Sequence, residues 1–327
     1  MRGEYRLIAA ATKQAHERIR TYVRKTLLDH CPWLSSGDCS VYIKREDEQF
    51  TNSFKLRGAV NKILKLCQIS DVKPEIVTAS TGNHGLACAK IVSETNVDCT
   101  IVVNENVSSS KIKGIKRTAV SILFHGTDGI EAEIFAKKYA KDIGAIYVSP
   151  YDDLDVVAGQ GTVGLEILED LPSVDAVFVS VGGGGLISGI ATYMKNKNPD
   201  IKIIGCQPEN SKVMYESVKH GSILDIESLE TLSDGTAGGL EPGVITFEMC
   251  QDLVDEWVLV SEDEISYAVY KMLQEHSKVV EGAAGVAIAS FLKTKNQYAG
   301  KNVVIVSCGG NISVEKSKYI IDKHQGE

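Results

Sequence analysis

Hydrophobic positions along the chain follow two spacings, one helical and one typical of strands. Between Leu7 and about Asp29, apolar residues recur with nearly the helical period, which predicts one amphipathic helix that ends before Pro32. A strand pattern follows at Ser40–Lys44, and a second helical pattern runs from Leu56 to Cys67. The chain is therefore expected to open with a helix, a strand and a second helix.

Short apolar runs then alternate with helical patterns along the rest of the chain. Runs typical of strands lie at Ile76–Ala79, Thr100–Val103, Ser121–Phe124, Ala145–Val148, Ala176–Val181, Ile201–Gly205, Trp257–Val260 and Val303–Val306. Helical patterns lie near residues 84–93, 109–117, 129–141, 157–169, 185–196, 211–219, 262–276 and 282–292. This alternation predicts an α/β fold with parallel-rich sheets flanked by helices. We expect a small domain at 77–148, inserted in a large domain formed by 1–76 and 149–327.

The composition is that of an ordinary folded protein. The 327 residues are 43% hydrophobic and 24% charged, which excludes a disordered or collagen-like chain. Lysine and arginine number 35 against 43 acidic residues, so the formal net charge is −8, and no long basic run occurs. We therefore expect neither nucleic acid nor an anionic membrane surface as a partner.

Cysteine usage and the amino-terminal segment bear on the compartment. The eight cysteines form no Cys-x-x-Cys pair and mostly lie in apolar surroundings, which favours a reducing compartment. Glu4 and Lys13 leave too short an apolar stretch for a signal peptide. The uncharged segment from Ala176 to Met194 is interrupted by Gly182–Gly185, which indicates strand, loop and helix and not a membrane span. A cytoplasmic protein is expected.

The first segment with candidate chemistry is Asn52-Ser-Phe-Lys-Leu-Arg-Gly-Ala59. It places Lys55 at the start of a predicted helix, beside Phe54. Partial burial and the positive end of the helix dipole lower the pKa of such an amine, so Lys55 is a candidate nucleophile or base. Taken alone, a solvated surface lysine is the commoner explanation of this pattern.

A second segment, Ser80-Thr-Gly-Asn-His-Gly85, follows a predicted strand and opens a helix. Its backbone N–H groups form an anion site that suits a carboxylate, and Asn83 adds a neutral donor. Capping of the helix by Ser80 or Thr81, with Gly82 in the turn, explains the segment equally well. We expect His84 to pack or cap and assign it no catalytic role.

Four consecutive glycines, Gly182–Gly185, stand between an apolar strand and a helix in Val181-Gly-Gly-Gly-Gly-Leu186. Their backbone amides are free to surround a phosphate. The spacing is not that of the dinucleotide fingerprint, and the Gly-Lys-Ser/Thr of a P-loop is lacking, so nicotinamide binding and ATP hydrolysis are disfavoured. A tight strand-to-helix turn is the alternative, although such a turn rarely needs four glycines.

The last segment, Val306-Ser-Cys-Gly-Gly-Asn311, would by itself be a turn. Together the four segments offer a lysine nucleophile, a carboxylate site, a phosphate site and a small polar group at the ends of parallel strands. In order and spacing they resemble the fold-type II pyridoxal phosphate enzymes, and within them the threonine/serine dehydratase and serine racemase branch. The resemblance extends from the first helix to near residue 315 and implies the two-lobed, tryptophan synthase β-like fold.

The resemblance implies a role for each matching residue. Lys55 would carry pyridoxal 5'-phosphate covalently and, once released by the substrate, would remove the Cα proton. The other cofactor contacts would come from Phe54 and Gly239 on the two ring faces, Asn83 at the ring hydroxyl, Gly182, Gly183, Gly184, Gly185 and Leu186 at the phosphate, Cys308 at the ring nitrogen, and Glu281 close by. The amides of Ser80, Thr81, Gly82, Asn83 and His84 would hold the substrate carboxylate.

The implied partner of the ring nitrogen bears on the reaction. A carboxylate would keep that nitrogen protonated and make the cofactor a deep electron sink, whereas a neutral thiol such as Cys308 does not. A β-hydroxyl that leaves as soon as the Cα proton is removed needs no such sink. The resemblance therefore implies dehydration of serine or threonine to a 2-oxo acid and ammonia, with the cofactor phosphate protonating the departing hydroxyl.

Three alternatives stay open. β-Replacement of the cysteine synthase type goes with a different lysine motif and a Gly-Asn-Thr-Gly loop, whereas Phe54, Arg57-Gly-Ala59 and His84 favour the dehydratase branch. Racemisation needs a second acid/base opposite Lys55; serine racemases have serine at the position of Thr81, and many dehydratases have alanine. A cofactor-binding protein without turnover is the third alternative, and the intact Lys55 argues against it.

Further expectations concern metals, regulation and assembly. Serine racemases bind a divalent cation through Glu-Pro, a backbone carbonyl and an Asp, but Gln207 and Val213 stand at the two carboxylate positions here, so no metal site is expected. The chain stops shortly after the Cys308 segment, so the C-terminal regulatory extension of biosynthetic threonine dehydratases is not expected. The resemblance to this family also implies a homodimer. Serine, threonine and bulkier β-hydroxy amino acids are not ranked by the sequence.

Overall fold

The computed structural model describes residues 3–69, 73–95, 97–107, 112–118 and 120–326. Within these ranges lie eleven α-helices and ten strands. The helices are α1 (Gly3–Ile19), α2 (Lys55–Ile69), α3 (Asn83–Thr95), α4 (Gly129–Ile143), α5 (Leu154–Asp170), α6 (Gly185–Lys197), α7 (Val213–His220), α8 (Ile245–Leu253), α9 (Glu262–His276), α10 (Gly282–Thr294) and α11 (Val314–His324). The strands are β1 (Leu28–His30), β2 (Ser40–Arg45), β3 (Glu75–Ala79), β4 (Asp98–Val103), β5 (Ser121–Phe124), β6 (Ile146–Tyr147), β7 (Ala176–Ser180), β8 (Lys202–Pro208), β9 (Glu256–Val260) and β10 (Asn302–Ser307).

The strands form two sheets. The larger has six strands in the order β1-β2-β10-β7-β8-β9, and the smaller has four in the order β5-β4-β3-β6. Every pairing is parallel except that of β1 with β2. Parallel strands need crossover connections, which here are mostly helices packed on the sheet faces. The predicted α/β class with parallel-rich sheets is confirmed.

Glycines allow the helices behind the larger sheet to approach closely. A Cβ atom on Gly189 of α6 would lie 2.4 Å from the carbonyl oxygen of Val157 in α5. One on Gly159 of α5 would lie 2.7 Å from the carbonyl oxygen of Arg57 in α2. Because α2 begins at Lys55, this contact fixes the helix that carries the candidate nucleophile.

The amino-terminal helix is shorter than predicted. It ends at Ile19, and part of the segment predicted as helix is the strand Leu28–His30, antiparallel to β2. Between them, the carbonyl oxygen of Thr26 accepts a hydrogen bond of 2.7 Å from the buried ammonium of Lys44. Here hydrogen bonds to distant residues replace the hydrogen bonds of a helix. The apolar periodicity therefore predicts a longer helix than the structure has.

Other predicted elements agree with the structure within a few residues at their ends, with two kinds of exception. Helices α8 and α11 were not predicted. The predicted helix at 109–117 falls partly outside the described residues; in the part that is described, Ile112 is helical and Ile115–Arg117 form a 3-10 turn. In the described ranges, no helix is both long and apolar enough to cross a membrane.

Two hydrophobic cores flank the candidate site. One surrounds the larger sheet and includes Phe178, Leu186 and Cys308. Another lies between α2, α3 and the smaller sheet and includes Leu56 and Ile63. All eight cysteines are unpaired, and all but one are buried. The start of α2 lies where these two cores meet.

Candidate active site

Lys55 begins α2 and points its amine at the segment that follows β6. Its Nζ donates to the carbonyl oxygen of Pro150 at 2.9 Å and lies 5.1 Å from the centre of the Phe54 ring. Burial lowers the pKa of the Lys55 ammonium from 10.5 to about 8. The amine is therefore neutral in a sizeable fraction of molecules near neutral pH, as a nucleophile or base requires.

Cys308 lies directly beside the lysine segment. The Phe54 N–H donates to the carbonyl oxygen of Cys308 at 3.1 Å, and Ser53 forms an antiparallel bridge with Gly309. The Cys308 side chain is buried, and this burial raises the pKa of its thiol well above the usual value. Cys308 therefore presents a neutral thiol.

The glycine loop between β7 and α6 offers a set of free donors. Within the described part of the chain, the N–H groups of Gly182, Gly183 and Gly184 form no hydrogen bond. Those of Gly185 and Leu186 belong to the first turn of α6, where no intrahelical acceptor exists. Orphaned amides at a helix N-terminus form an anion site, so the loop fits a phosphate.

Side chains have no room in this loop. Gly184 has a φ of 84°, and a Cβ atom there would lie 3.0 Å from Cys250, Met214 and Thr246. A Cβ atom on Gly183 would lie 2.4 Å from the ring of Tyr151. Tyr151 was not predicted from the sequence, and only its position next to Pro150 connects it to the site.

The segment before α3 is exposed on one side and anchored on the other. The Gly82 N–H donates to Ser80 Oγ at 3.2 Å, so Ser80 closes the turn before the helix, whereas the expected capping of the helix itself is not seen, because the helix begins at Asn83. The hydroxyl of Thr81 makes no hydrogen bond to any described residue. His84 is buried, with Nε2 3.1 Å from the carbonyl oxygen of Val148, and burial lowers its pKa to about 3.

Asn83, Glu281 and Asn311 form a connected polar group. The Asn83 side-chain amide donates to both Glu281 oxygens, at 3.0 and 3.1 Å, and its own oxygen accepts from Asn311 Nδ2 at 2.7 Å. The Asn311 backbone N–H also donates to Glu281 at 3.1 Å. Burial raises the pKa of the Glu281 carboxyl to about 7. Asn311 was not assigned a role, although it closes the Cys308 segment.

Gly239 is the predicted site residue that the structure does not join to the others. It lies in the loop before α8, and a Cβ atom built on it would meet no atom within 4 Å. Its neighbour Gly238 is held by hydrogen bonds of 3.3 Å from its N–H to Ser211 and Ser228. Gly239 therefore lines open space.

The donors fit pyridoxal phosphate. The group needs a reactive amine for its aldehyde, anion donors for its phosphate and polar partners along its ring. Lys55 supplies the amine, the orphaned amides of Gly182–Gly184 supply the anion donors, and Asn83 and Cys308 supply an amide and a thiol. In the described ranges, no three His, Cys, Asp or Glu side chains lie together in a way that could hold a metal ion.

Comparison with known proteins gives a consistent result. The family model described as pyridoxal-phosphate dependent enzyme matches residues 19–309. An L-threonine ammonia-lyase of Thermotoga maritima is 40% identical over 95% of this chain and 77% of its own length. A threonine deaminase structure from Solanum lycopersicum superimposes with a TM-score of 0.91 at 31% identity, over 98% of this chain and 88% of that one. A serine racemase structure from Dictyostelium discoideum gives 0.86 at 32% identity, over 94% and 99%.

Proposed function

Because this chain belongs to the family of pyridoxal-phosphate dependent enzymes, we propose that it eliminates water from L-threonine, L-serine or both, yielding a 2-oxo acid and ammonia. The relatives described as L-threonine ammonia-lyase and threonine deaminase support this reaction. The lowered pKa of the Lys55 amine and the free amides described above independently support the use of the cofactor. The enzyme is a lyase that uses pyridoxal 5'-phosphate.

Each site residue has a proposed part in holding the cofactor. Bound pyridoxal phosphate supplies an electrophilic carbon and an electron-withdrawing ring, which together make the Cα proton of an amino acid acidic. Lys55 holds the cofactor covalently, and the N–H groups of Gly182–Leu186 bind its phosphate. Phe54 and Gly239 would contact the two faces of the ring, and Asn83, Cys308 and Glu281 would contact its edge.

Lys55 also acts as the base at Cα. Its pKa of about 8 suits proton transfer near neutral pH, because the neutral and protonated forms are both accessible. The backbone N–H groups of Ser80–His84 hold the substrate carboxylate and so present its Cα to the amine. His84 stays neutral at this pH, so its side chain adds no charge to the carboxylate site.

The observation that carries elimination is the neutral Cys308 thiol. A carboxylate partner for the ring nitrogen would stabilise negative charge at Cα for a long time, and a thiol whose pKa is raised by burial does not. The Glu281 carboxylate accepts hydrogen bonds from Asn83 and Asn311. Departure of the β-hydroxyl as the proton is removed avoids long-lived charge, which favours elimination.

An assay of product release tests the proposal. Purified holoenzyme should release equal amounts of ammonia and 2-oxo acid from L-threonine, L-serine or both, within a panel of β-hydroxy amino acids of both chiralities. Lys55→Ala should lose the visible absorption of bound cofactor and slow release by on the order of 10³-fold or more. Lys65→Ala, on the exposed side of α2, is the matched control and should keep both. Full activity in Lys55→Ala would show that the base lies elsewhere.

Racemisation of an amino acid is the second candidate, and the free Thr81 hydroxyl favours it. Racemisation needs a second acid/base on the face opposite Lys55, and its hydroxyl must not be used in a hydrogen bond that caps a helix. The Thr81 hydroxyl has no hydrogen-bond partner in the described chain. The solved relative described as a serine racemase points the same way. We expect racemisation to be the minor reaction.

Chiral analysis of the products separates the two reactions. Wild type should form 2-oxo acid faster than D-amino acid. Thr81→Ala should lower D-amino acid formation at least tenfold while elimination changes by less, since only racemisation needs a donor on that face. D-amino acid forming faster than 2-oxo acid in the wild type would make racemisation the main activity.

The proposal extends to the setting of the enzyme. We propose a cytoplasmic homodimer with a small amino acid as substrate and with neither nucleic acid nor membrane as partner, which the net charge of −8 supports. We also propose a small domain at 77–148 within a large domain of 1–76 and 149–327. The smaller sheet, with strands between residues 75 and 147, supports that division.

A further inference from the structure

A cluster of charges connects the smaller sheet with the loop that precedes α8. Helix α4, packed on the smaller sheet, carries Glu133 and Lys137 one turn apart. The Lys137 ammonium lies 3.3 Å from a Glu133 oxygen and forms an ion pair with Glu241 of the loop. The hydroxyl of Tyr147, from β6, donates to Glu133 at 3.1 Å. One ammonium therefore stands between two carboxylates that belong to different parts of the fold.

The loop that carries Glu241 also borders the phosphate site. A Cβ atom on Gly182 would lie 3.0 Å from the Cα atom of Thr236, at the start of this loop. Gly239 lies between Thr236 and Glu241 and is proposed to face the ring. The phenol of Tyr151, whose ring lies on Gly183, interacts with the backbone of Glu241. A displacement of Glu241 would therefore also displace residues that border the candidate site.

Electrostatics make the ammonium necessary to the cluster. Burial and the nearby Glu241 carboxyl both raise the pKa of Glu133. Burial opposes ionisation of Lys137, but Glu241 and Glu133 outweigh it and raise the pKa of the ammonium. Glu133 and Glu241 also share a side-chain hydrogen bond, which raises the pKa of Glu133 and lowers that of Glu241. Without Lys137, this one contact of the cluster is left between α4 and the loop, and the loop is held less firmly. The Glu133 carboxylate also acts on Lys55.

We propose that Lys137 is a positioning residue that ties α4 to the loop before α8 and so holds this loop in place beside the candidate site. The side chains of Lys137, Glu133 and Glu241 are partly exposed, so this ion bridge adds little to the free energy of unfolding. Local opening of a loop is an equilibrium, however, and the loss of even one weak contact changes the population of the open loop severalfold. The kinetic consequence rests on the proposed function, whereas the link between α4 and the loop does not.

The kinetic test compares Lys137→Met with Lys138→Met, which removes a neighbouring, exposed ammonium of the same helix. In Lys137→Met we expect KM for threonine or serine to rise about tenfold, with kcat within about twofold and cofactor affinity unchanged, because substrate must then bind to an enzyme whose loop is less ordered. Lys138→Met should match wild type. Glu241→Gln should raise KM as Lys137→Met does, and the double variant should be no worse than the worse single one, because both remove one interaction.

A second measurement works without turnover. Hydrogen exchange of residues 236–243 in the cofactor-free protein should be at least threefold faster in Lys137→Met than in wild type or Lys138→Met, since the loop loses its tie to α4. If the wild type proves inactive on these amino acids while Lys137→Met still exchanges faster than the wild type, the proposed function is overturned and the bridge is kept. Equal exchange and equal KM in the two lysine variants would overturn the bridge. If Lys137→Met does not fold, Glu241→Gln gives the same two readouts.

Discussion

Asn83 owes its orientation to residues that are distant in sequence. Because Asn311 Nδ2 donates to the Asn83 oxygen, the Asn83 NH₂ group must turn towards Glu281. An Asn amide can face either way, and this neighbour removes the choice. The direction of the Asn83 donor is therefore set by Glu281 and Asn311 together.

The glycine loop yields a prediction at the same scale. Gly184→Val should be purified largely without cofactor, because Gly184 has a left-handed backbone and its Cβ atom would crowd three neighbours at 3.0 Å. We expect cofactor affinity to fall at least tenfold, measured by fluorescence titration. Gly129→Val is the control, since a Cβ atom at Gly129 meets nothing within 4 Å. Normal affinity in Gly184→Val would place the phosphate at another site.

Sequence patterns predicted those site residues whose chemistry depends on their immediate neighbours in the chain. Lys55 at a helix start and glycines after a strand are local features, and the structure contains both. Asn311 and Tyr151 could not be found in this way. Their contacts join positions far apart, such as residues 83 and 311, and no spacing rule encodes them.

At the scale of elements, a buried ionic network holds the start of α2. Arg57, two residues after Lys55, donates to Glu46 at 2.7 and 2.8 Å and to Glu166 of α5 at the same two distances. Lys44 of β2 donates to Glu166 at 2.6 Å. All four side chains are at most 2% exposed. Two positive and two negative charges balance, so a charged group can stay in the interior.

Removing one charge from this network should be costly. Glu166→Gln leaves two buried cations facing one carboxylate, and we expect the free energy of unfolding to fall by about 3 kcal/mol. Glu169→Gln, on the exposed end of the same helix, should change it by less than about 0.5 kcal/mol. Urea unfolding at pH 7 measures both. Equal stability of the two variants would contradict a structural role for the network.

The network also has a pH signature. Burial alone would raise the pKa of Glu166, but Arg57 and Lys44 outweigh it and lower the pKa below 4.5. A carboxyl with a lowered pKa in the folded state stabilises the fold above its unfolded pKa, and this contribution is lost as pH falls through the folded value. Wild type should therefore lose stability below about pH 4.5 more steeply than Glu166→Gln.

Elements with a clear period were predicted, and those set by tertiary contacts were not. Helix α9 has the predicted limits because Ser261 and Glu264 form a capping box within the segment itself. Strand β1 was predicted as helix, since only its pairing with β2 makes it a strand. Local signals such as a capping box can be recognised in a sequence, whereas the strand with which a segment pairs cannot.

At the scale of the whole molecule, Gln207 argues against activation by a divalent cation. Its Nε2 donates to the carbonyl oxygen of Val181 at 3.0 Å, and its Oε1 accepts from the Tyr215 N–H at 2.8 Å. The amide thus ties the residue before the glycine loop to α7, and neither of its polar atoms is available to a cation. Val213, the other replaced position, offers no side-chain oxygen.

Chelator treatment tests this prediction. Turnover should be unchanged, within about 20%, after dialysis against a chelator and after addition of Mg²⁺ or Ca²⁺, because hard cations require several oxygen ligands. Activity that collapses in chelator and returns with Mg²⁺ would mean that other oxygens, such as those of Glu209, form a site.

The meeting of two hydrophobic cores at Lys55 has a thermodynamic consequence. The phosphate loop belongs to the core around the larger sheet, while α2 packs into the core beside the smaller one. A cofactor held by both would add a covalent link to the buried ion pairs that already join α2 to the larger sheet. In a calorimeter the holoprotein should therefore melt at a higher temperature than the cofactor-free protein. Lys55→Ala with cofactor added should keep only part of this increase, because the covalent link is missing.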